Sequence, residues 1–270
     1  MFKLRKEWDL LLTALGFFTR IPIPHNIAFS QENLNRCNRY LPIIGLIVGG
    51  IGAGVFYVAS FLFPHSVAVL LSMAATILAT GAFHEDGFAD VCDAFGGGWT
   101  KEKILVIMKD SRLGAYGAIG ILMLLLVKFQ TLNVLSDWQV IAAMITGHMI
   151  SRSMAAWTMY SLEYVREDET SKSKPIAKAL RPRDLTLAIS VALIPVFFFQ
   201  DIFVFLIIGP AFIAKWLLEL YFYKWIGGYT GDCLGTIQQV TEVVCYLFLI
   251  AYFKLSTVSG APFEEWIKSF

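Results

Sequence analysis

The chain alternates between long apolar runs and polar connectors, and the apolar runs have the length of membrane-spanning helices. The longest stretch without Asp, Glu, Lys or Arg extends from Tyr40 to Phe83. A single span needs only about 20 apolar residues, and Pro64 and His65 divide this stretch. The pattern therefore predicts two antiparallel helices, at about 41–63 and 66–83, with a tight turn between them.

Five further apolar runs follow, so we expect an all-α, polytopic integral membrane protein with about seven transmembrane helices. These runs lie at 113–131, 138–160, 185–200, 202–222 and 235–254. The N-terminal segment has a short apolar run without a small-residue cleavage site, which predicts a retained interfacial or re-entrant segment. Because no internal repeat or low-complexity linker divides the chain, residues 1–270 are predicted to form a single membrane-embedded domain.

The first predicted span is rich in glycine. Gly45 precedes Gly49, and Gly50 precedes Gly54, by four residues in each pair. This spacing places small residues on one helix face and permits close contact with a neighbouring helix.

The composition supports a membrane location and excludes other classes. Hydrophobic residues make up 57% of the chain and charged residues 16%, against about 45–50% and about 25% in soluble domains. The formal net charge of +1 argues against a nucleic-acid partner, since proteins that bind nucleic acids are usually basic. The four cysteines lack CxxC or zinc-ligand spacing and are predicted to be free and reduced.

The basic residues indicate which side of the membrane the connectors occupy. Most of the 22 Lys and Arg residues lie in the N-terminal segment and in the connectors 20–39, 84–112, 161–184 and 223–234. Because loops rich in Lys and Arg stay in the cytoplasm, these connectors are predicted to be cytoplasmic. The short hairpin turns and the C-terminal tail are then predicted to lie outside.

Carboxylates concentrate where the second predicted span enters its connector. Asp86, Asp90 and Asp93 follow one another at i, i+4 and i+7, which places all three on one face of a helix. A divalent cation would relieve their repulsion, and oxygen ligands favour Mg²⁺, Mn²⁺ or Ca²⁺ over zinc. A solvated acidic helix end is the alternative interpretation. His84 is either a further ligand or a hydrogen-bonded interfacial histidine.

Two other segments of the predicted cytoplasmic side have features of phosphate-binding sites. Lys109, Ser111 and Arg112 stand just before an apolar run, where cations either bind phosphate or anchor the chain at the interface. The second segment is a glycine-rich turn that leads into the last helix, which suits an anion. It contains Gly228, Thr230, Gly231 and Asp232, and Asp232 is a further candidate metal ligand.

Two charged residues fall inside predicted spans. Arg152 has His148 four residues earlier, and Glu242 lies within the last apolar run with Gln238 four residues earlier. Charged residues inside membranes need partners and are often functional. Arg152 could contact a substrate phosphate or form a structural ion pair, and the sequence leaves both open. Glu242 is a second candidate substrate-binding residue.

These features together predict a membrane enzyme of phosphoryl or nucleotidyl transfer, in which metal and cations stabilise the transferring phosphate. Four motifs follow one another along the chain. They are Phe17-Phe18-Thr19-Arg20-Ile21-Pro22, His84-x-Asp86-Gly87-x-Ala89-Asp90-x-x-Asp93, Lys109-Asp110-Ser111-Arg112-x-Gly114-x-x-Gly117 and Gly227-Gly228-x-Thr230-Gly231-Asp232-x-Leu234-Gly235. In this order, and over nearly the whole chain, they resemble one family, the cobalamin (5′-phosphate) synthases or adenosylcobinamide-GDP ribazoletransferases.

The resemblance implies a Mg²⁺-dependent catalytic domain of a prokaryotic cytoplasmic (inner) membrane that acts late in cobalamin biosynthesis. Its substrates would be adenosylcobinamide-GDP and α-ribazole or α-ribazole 5′-phosphate, with GMP released. The 5′-hydroxyl or the 5′-phosphate of the ribazole is expected to attack. Asp86, Asp90, Asp93 and Asp232 would hold Mg²⁺, and Lys109 and Arg112 would neutralise the diphosphate. Whether the chain forms a homo-oligomer is left open.

Two other functions compete with this interpretation. A CDP-alcohol phosphotransferase of phospholipid synthesis also carries a run of aspartates after Asp-Gly, but has Arg where this chain has Asp90. A transporter could use Arg152 and Glu242 as coupling residues, although its key charges would lie near mid-membrane. Here the carboxylates crowd one membrane surface, which favours surface chemistry.

Overall fold

The structure is a computed structural model that describes residues 2–25, 27, 29–110, 112–166 and 180–258. Ser111, much of the basic connector 161–184 and the C-terminal tail from 259 lie outside the described residues. The described α-helices are α1 (Phe2–Phe18), α2 (Gln31–Cys37), α3 (Leu41–Ser60), α4 (His65–Thr80), α5 (Phe83–Gly97), α6 (Lys101–Ile107), α7 (Ala115–Asn133), α8 (Asp137–Ser161), α9 (Pro182–Ala192), α10 (Ile208–Ile226) and α11 (Gly231–Val258). Short 3₁₀ turns span Asn38–Tyr40, Ile194–Phe199 and Ile202–Ile207.

The all-α, polytopic architecture predicted from the sequence is confirmed. Among the described residues, five helical segments are long and apolar enough to cross a membrane, and a bent pair of helices would make a sixth. The five are Gln31–Ser60, Ala115–Asn133, Pro182–Phe199, Ile202–Ile226 and Gly231–Ser256. The N-terminal helix α1, with 17 residues, is not among these five, and its interfacial or re-entrant position stays a prediction.

The sequence predicted about seven spans, whereas the structure has five candidates, or six with the bent pair. The difference arises at two of the predicted spans. The run predicted at 66–83 ends at Thr80, and the chain turns by 88° into α5. The helix predicted at 138–160 is present as α8, but it is too polar to be one of the candidates. It carries His148 and Arg152, and most of its residues are buried against other helices rather than facing lipid.

The bend between α4 and α5 has a local cause in two residues with left-handed backbone. Gly81 has φ of 67° and closes α4, and Ala82 has φ of 58° immediately before α5. Glycine adopts this conformation freely, whereas alanine does so at a cost. The bend turns the acidic helix α5 away from the line of α4, so that α5 packs against α7 and α11.

The centre of the molecule is formed by α8 packed between α3 and α11. At the α3–α8 contact, a Cβ added to Gly45 would lie 2.4 Å from the carbonyl oxygen of His148, and one added to Gly49 would lie 2.8 Å from that of Met144. The close helix contact predicted for this glycine pair is therefore present. The pair Gly50 and Gly54 faces open space instead, with no neighbouring atom within 4 Å of an added Cβ.

The four cysteines are free, as predicted. Cys37, Cys233 and Cys245 are buried and Cys92 is partly exposed. Burial of these small side chains in the helix contacts gives them a packing role.

Candidate active site

The three aspartates of the first acidic motif lie on α5, as the sequence spacing predicts. Asp86 is exposed, whereas Asp90 and Asp93 are half-buried. Gly87, next to Asp86, allows α5 to approach α11, because an added Cβ there would lie 3.0 Å from the Cα of Asp232. Carboxylates from two helices distant in sequence therefore lie on the same side of the molecule.

Asp93 uses its carboxylate to hold the start of α7. Its Oδ2 accepts a hydrogen bond from the backbone N–H of Gly114 at 2.7 Å, and its Oδ1 accepts one from Gly117 at 2.8 Å. A Cβ on either glycine would lie within 2.4 Å of these oxygens. An anionic side chain at a helix N-terminus satisfies free N–H groups and interacts favourably with the helix dipole. In this arrangement Asp93 joins α5 to α7.

Asp232 begins α11 and has a cationic partner from a distant connector. Its Oδ2 lies 2.9 Å from the guanidinium Nη2 of Arg166. The negative charges of Asp232 and Asp86 both act on Asp90, and Arg166 opposes them. One arginine thus faces three carboxylates, which leaves the group with excess negative charge.

The glycine-rich turn before α11 brings Arg166 to this position. The backbone N–H of Tyr229 donates to the carbonyl of Glu163, and the N–H of Val165 donates to the carbonyl of Tyr229. Gly228 is required at this crossing, because an added Cβ would lie 2.2 Å from the Glu163 carbonyl oxygen. Gly228 therefore supports the backbone pairing.

The neighbouring threonine also has a packing role. Thr230 is fully buried, and its hydroxyl oxygen accepts a hydrogen bond from the backbone N–H of Cys233 at 3.4 Å. Gly231, the remaining predicted anion-binding residue of this turn, lines a cavity beside α5 and α8, whereas Gly228 and Thr230 do not.

A cavity of about 230 Å³ opens between α1, α5, α8, the 164–166 segment and the start of α11. Its polar lining comes from His84, Asp86, Arg152, Arg166, Asp232 and Gln238. Its apolar lining comes from Phe17, Phe18, Leu41, Phe83, Ala155, Met159, Tyr164, Tyr229 and Leu234, and Gly231 and Gly235 complete it. The cavity thus joins predicted site residues from two separate sequence motifs to Arg152.

Behind the cavity, Glu242 is the centre of a buried polar network. Its carboxylate lies 2.7 Å from the Nζ of Lys128 and accepts hydrogen bonds from Gln238 at 2.6 Å and from Tyr246 at 3.1 Å. Glu242 is therefore held by side chains of its own helix, of α7 and of α8, and it does not line the cavity. Its ion pair is formed with Lys128, whereas the ion pair that the sequence left open was one of Arg152.

Arg152 connects this network to the cavity. Its Nη1 donates to Nδ1 of His148 at 2.8 Å and to the His148 carbonyl at 3.2 Å, while its Nε has no hydrogen-bond partner among the described residues. Only 1% of the residue's surface is exposed. A buried guanidinium at a cavity wall supplies a positive charge that is suited to an anion.

The predicted phosphate-binding segment that contains Lys109 and Arg112 does not contribute to the cavity. Arg112 is 88% exposed and forms an ion pair with Asp110, with Nη2 and Oδ2 2.5 Å apart. The hydrogen bonds from Arg112 lower the pKa of the Asp110 carboxyl to about 2. Lys109 is exposed, and Ser111 is outside the described residues. Neither Lys109 nor Arg112 lines the cavity.

The metal site predicted at Asp86, Asp90, Asp93 and Asp232 is not preformed. In the described part of the chain, no group of three or more His, Cys, Asp or Glu side chains is arranged to hold a metal ion. The donor chemistry nevertheless suits a hard divalent cation, because carboxylates surround Asp90 with one opposing arginine. Asp93 is engaged by backbone amides, which leaves Asp86, Asp90 and Asp232 as the candidate ligands.

Several lining residues were not singled out from the sequence. Arg166 was one basic residue among many in a connector predicted to be cytoplasmic. Tyr164 and Tyr229 belong to no pattern that would mark them as ligands. Phe17 and Phe18 belonged to the opening motif, but the motif gave no reason to place them beside α5. These residues meet only through contacts between segments distant in sequence, which local spacing does not reveal.

A family model described as "Cobalamin-5-phosphate synthase" matches residues 10–250. The chain is 44% identical over 249 residues to the adenosylcobinamide-GDP ribazoletransferase of Shewanella frigidimarina, covering 91% of this chain and 95% of that protein. It is also 44% identical over 252 residues to the enzyme of the same name from Ralstonia pickettii, covering 92% of this chain and 98% of that protein. No solved structure matches the chain significantly.

Proposed function

This chain belongs to the cobalamin-5-phosphate synthase family, and we propose that the cavity and the adjoining carboxylates of α5 and α11 are its reaction site. Its activity is that of an adenosylcobinamide-GDP ribazoletransferase in a late step of cobalamin biosynthesis. The observation that carries the site is the convergence of Asp86, Asp232, Arg152 and Arg166 on one cavity. Residues 1–270 act as a single catalytic domain embedded in the membrane.

The reaction joins α-ribazole, or its 5′-phosphate, to adenosylcobinamide-GDP. The family description names a cobalamin 5-phosphate as product, so the 5′-phosphate of the ribazole survives the reaction. The nucleophile is therefore a ribose hydroxyl other than the 5′ position, which replaces the 5′-hydroxyl or phosphate expected from the sequence. Its oxygen bonds to the phosphorus attached to cobinamide, the bond from that phosphorus to the bridging oxygen breaks, and GMP leaves with the bridging oxygen.

The attacking hydroxyl loses a proton, and the carboxylates at the cavity are positioned to accept it. Asp86 lines the cavity directly, and Asp90 lies one helical turn further along α5. A carboxylate within reach of the hydroxyl acts as general base. Asp86 is the candidate that touches the substrate, because it lines the cavity and Asp90 does not.

Arg166 faces the diphosphate of adenosylcobinamide-GDP, and the more deeply buried Arg152 adds a second positive charge to the cavity. Arg166 is held by Asp232 and Arg152 by His148, so both guanidinium groups are oriented before substrate binds. Fixed cations aimed at a transferring phosphoryl group stabilise the charge that develops there. Neutralisation of the diphosphate by Lys109 and Arg112 stays a prediction from the sequence motif. It requires the 109–112 segment to approach the cavity mouth.

Mg²⁺ is the proposed cofactor, which Asp90 and Asp232 would hold, with Asp86 as the third candidate ligand where it does not act as the base. When bound, such an ion supplies positive charge that polarises the phosphoryl oxygens. The proposal is supported by the carboxylate donor set and by the excess negative charge around Asp90. We place this site on the cytoplasmic side of a bacterial inner membrane, because the connectors around it carry most of the Lys and Arg residues.

A GMP-release assay tests this function. Purified protein in detergent or lipid should release GMP from adenosylcobinamide-GDP only when α-ribazole is present. EDTA should abolish the release, and added Mg²⁺ should restore it. In parallel, CDP-diacylglycerol with an alcohol should yield no CMP. CMP release without GMP release would contradict the function, whereas GMP release unaffected by EDTA would contradict the metal alone.

A further inference from the structure

The cavity has two chemically different walls. Phe17, Phe18 and Phe83 form an aromatic cluster with ring centroids 4.9 to 6.1 Å apart, all in edge-to-face arrangement. Tyr164 and Tyr229 contribute a second edge-to-face pair with centroids 5.6 Å apart. Both aromatic groups line the cavity, so it offers rings from two separate parts of the chain to an apolar, planar group.

In the described part of the chain, the polar wall carries buried atoms without a hydrogen-bond partner. Arg152 and Gln238 are each only 1% exposed, and within that part neither the Nε of Arg152 nor the Oε1 of Gln238 has such a partner. The Nε of Arg166 is a third such atom. Unsatisfied buried polar atoms cost free energy unless a ligand or water completes them. The polar wall therefore has two such nitrogen donors, from Arg152 and Arg166, and one such oxygen acceptor, from Gln238.

The volume limits what can enter. At about 230 Å³, the cavity is smaller than the roughly 300–1,000 Å³ of pockets that enclose drug-sized ligands. It suits one nucleoside-sized molecule and is far too small for a corrinoid. The corrinoid substrate can present its diphosphate at the cavity mouth while the macrocycle stays outside.

We propose that this cavity is the binding site of the nucleoside substrate, with its aromatic base against the Phe and Tyr rings and its ribose at Arg152 and Gln238. The proposal rests on the function above, which supplies a ribazole as one of the two substrates. The ribose hydroxyl is then held near Asp86, while Arg166 and Asp232 at the cavity wall face the incoming diphosphate. The aromatic wall accordingly contributes to recognition of the lower base.

Single aromatic substitutions separate the two substrates. In Phe83→Ala, whose ring is 43% exposed, the KM for α-ribazole should rise about 5- to 10-fold, as expected for loss of one aromatic contact. The KM for adenosylcobinamide-GDP should stay within about twofold, since the corrinoid lies outside. Phe83→Leu, which keeps an apolar side chain, should fall between wild type and Phe83→Ala. Phe61→Ala is the matched control, because that ring is 70% exposed at the α3–α4 turn and away from the cavity.

A second variant on the other wall protects the test against misfolding. Tyr164→Ala should give the same selective rise in the KM for α-ribazole. A rise confined to the KM for adenosylcobinamide-GDP, equal rises in both, or no rise in either would overturn the cavity assignment while leaving the transferase activity intact. Absence of GMP release by the wild-type protein would instead contradict the proposed function itself.

Discussion

At the residue scale, the aspartates of α5 share one helix face but not one environment. The i, i+4, i+7 spacing correctly predicted that Asp86, Asp90 and Asp93 lie on the same face. It could not reveal that Asp93 accepts two backbone hydrogen bonds from the start of α7, because the partners Gly114 and Gly117 are more than twenty positions away. Sequence spacing reports orientation on a helix, whereas the role of a side chain depends on tertiary contacts.

Substitution of Asp93 tests this division of roles. Asp93→Ala should lower the free energy of unfolding by about 1–3 kcal/mol, because two backbone N–H groups lose a charged acceptor. Asp86→Ala should change stability by less than about 0.5 kcal/mol, since its side chain is exposed. Thermal unfolding in detergent measures both. A stable Asp93→Ala protein that has lost its response to Mg²⁺ would return Asp93 to the set of metal ligands.

Arg166 and Arg112 are a matched pair for testing which cation acts on the substrate. Arg166 lines the cavity and pairs with Asp232, whereas Arg112 is exposed and pairs with Asp110. Arg166→Met should lower kcat/KM for GMP release by about 10²–10³-fold, the effect of losing one fixed charge at a reacting phosphate. Arg112→Met should lower it by less than about tenfold. The reverse order would place the diphosphate at the 109–112 segment.

At the element scale, the site depends on how α3, α8 and α11 pack. The close contact of α3 with α8 at Gly45 and Gly49 fixes the position of the helix that carries His148 and Arg152. The small-residue spacing predicted a close contact at two pairs, and only the pair facing α8 makes one. Spacing within one helix cannot show which of its faces meets a neighbour.

Glycine substitutions on α3 test this packing. Gly45→Ala should destabilise the protein by about 1–3 kcal/mol, because the new Cβ would lie 2.4 Å from a backbone oxygen of α8. Gly54→Ala is the control, since nothing lies within 4 Å of its Cβ, and alanine has the higher helix propensity. It should be neutral or slightly stabilising. Equal effects of the two substitutions in a thermal unfolding assay would contradict the α3–α8 contact.

At the scale of the whole molecule, the sequence predicted the helical membrane fold and the acidic half of the site. Long uncharged runs and helical spacing are local signals, which explains why the membrane fold and the shared helix face of Asp86, Asp90 and Asp93 are confirmed, whereas the role of these aspartates stays a prediction. The 88° bend at Gly81 and Ala82, and the pairing of the 163–165 segment with Tyr229, depend on backbone conformation and distant contacts. Arg166 and the aromatic wall were missed for that reason.

The orientation in the membrane is testable with single cysteines on a cysteine-free background. Trp99→Cys reports the α5–α6 connector, where the tryptophan is 80% exposed, and Ser136→Cys reports the exposed α7–α8 turn. With intact cells, a membrane-impermeant thiol reagent should label Cys at 136 and leave Cys at 99 unlabelled until the cells are opened. The opposite pattern would place the carboxylates outside the cytoplasm.

The most direct test of the reaction site is a single-turnover assay of GMP release by Asp86→Asn and Asp90→Asn proteins. Each substitution keeps the side-chain shape and removes one negative charge beside the cavity. We expect both proteins to retain the wild-type unfolding temperature and to release GMP at least about 10²-fold more slowly than wild type. Wild-type rates in both substituted proteins would contradict the assignment of these carboxylates to the reaction.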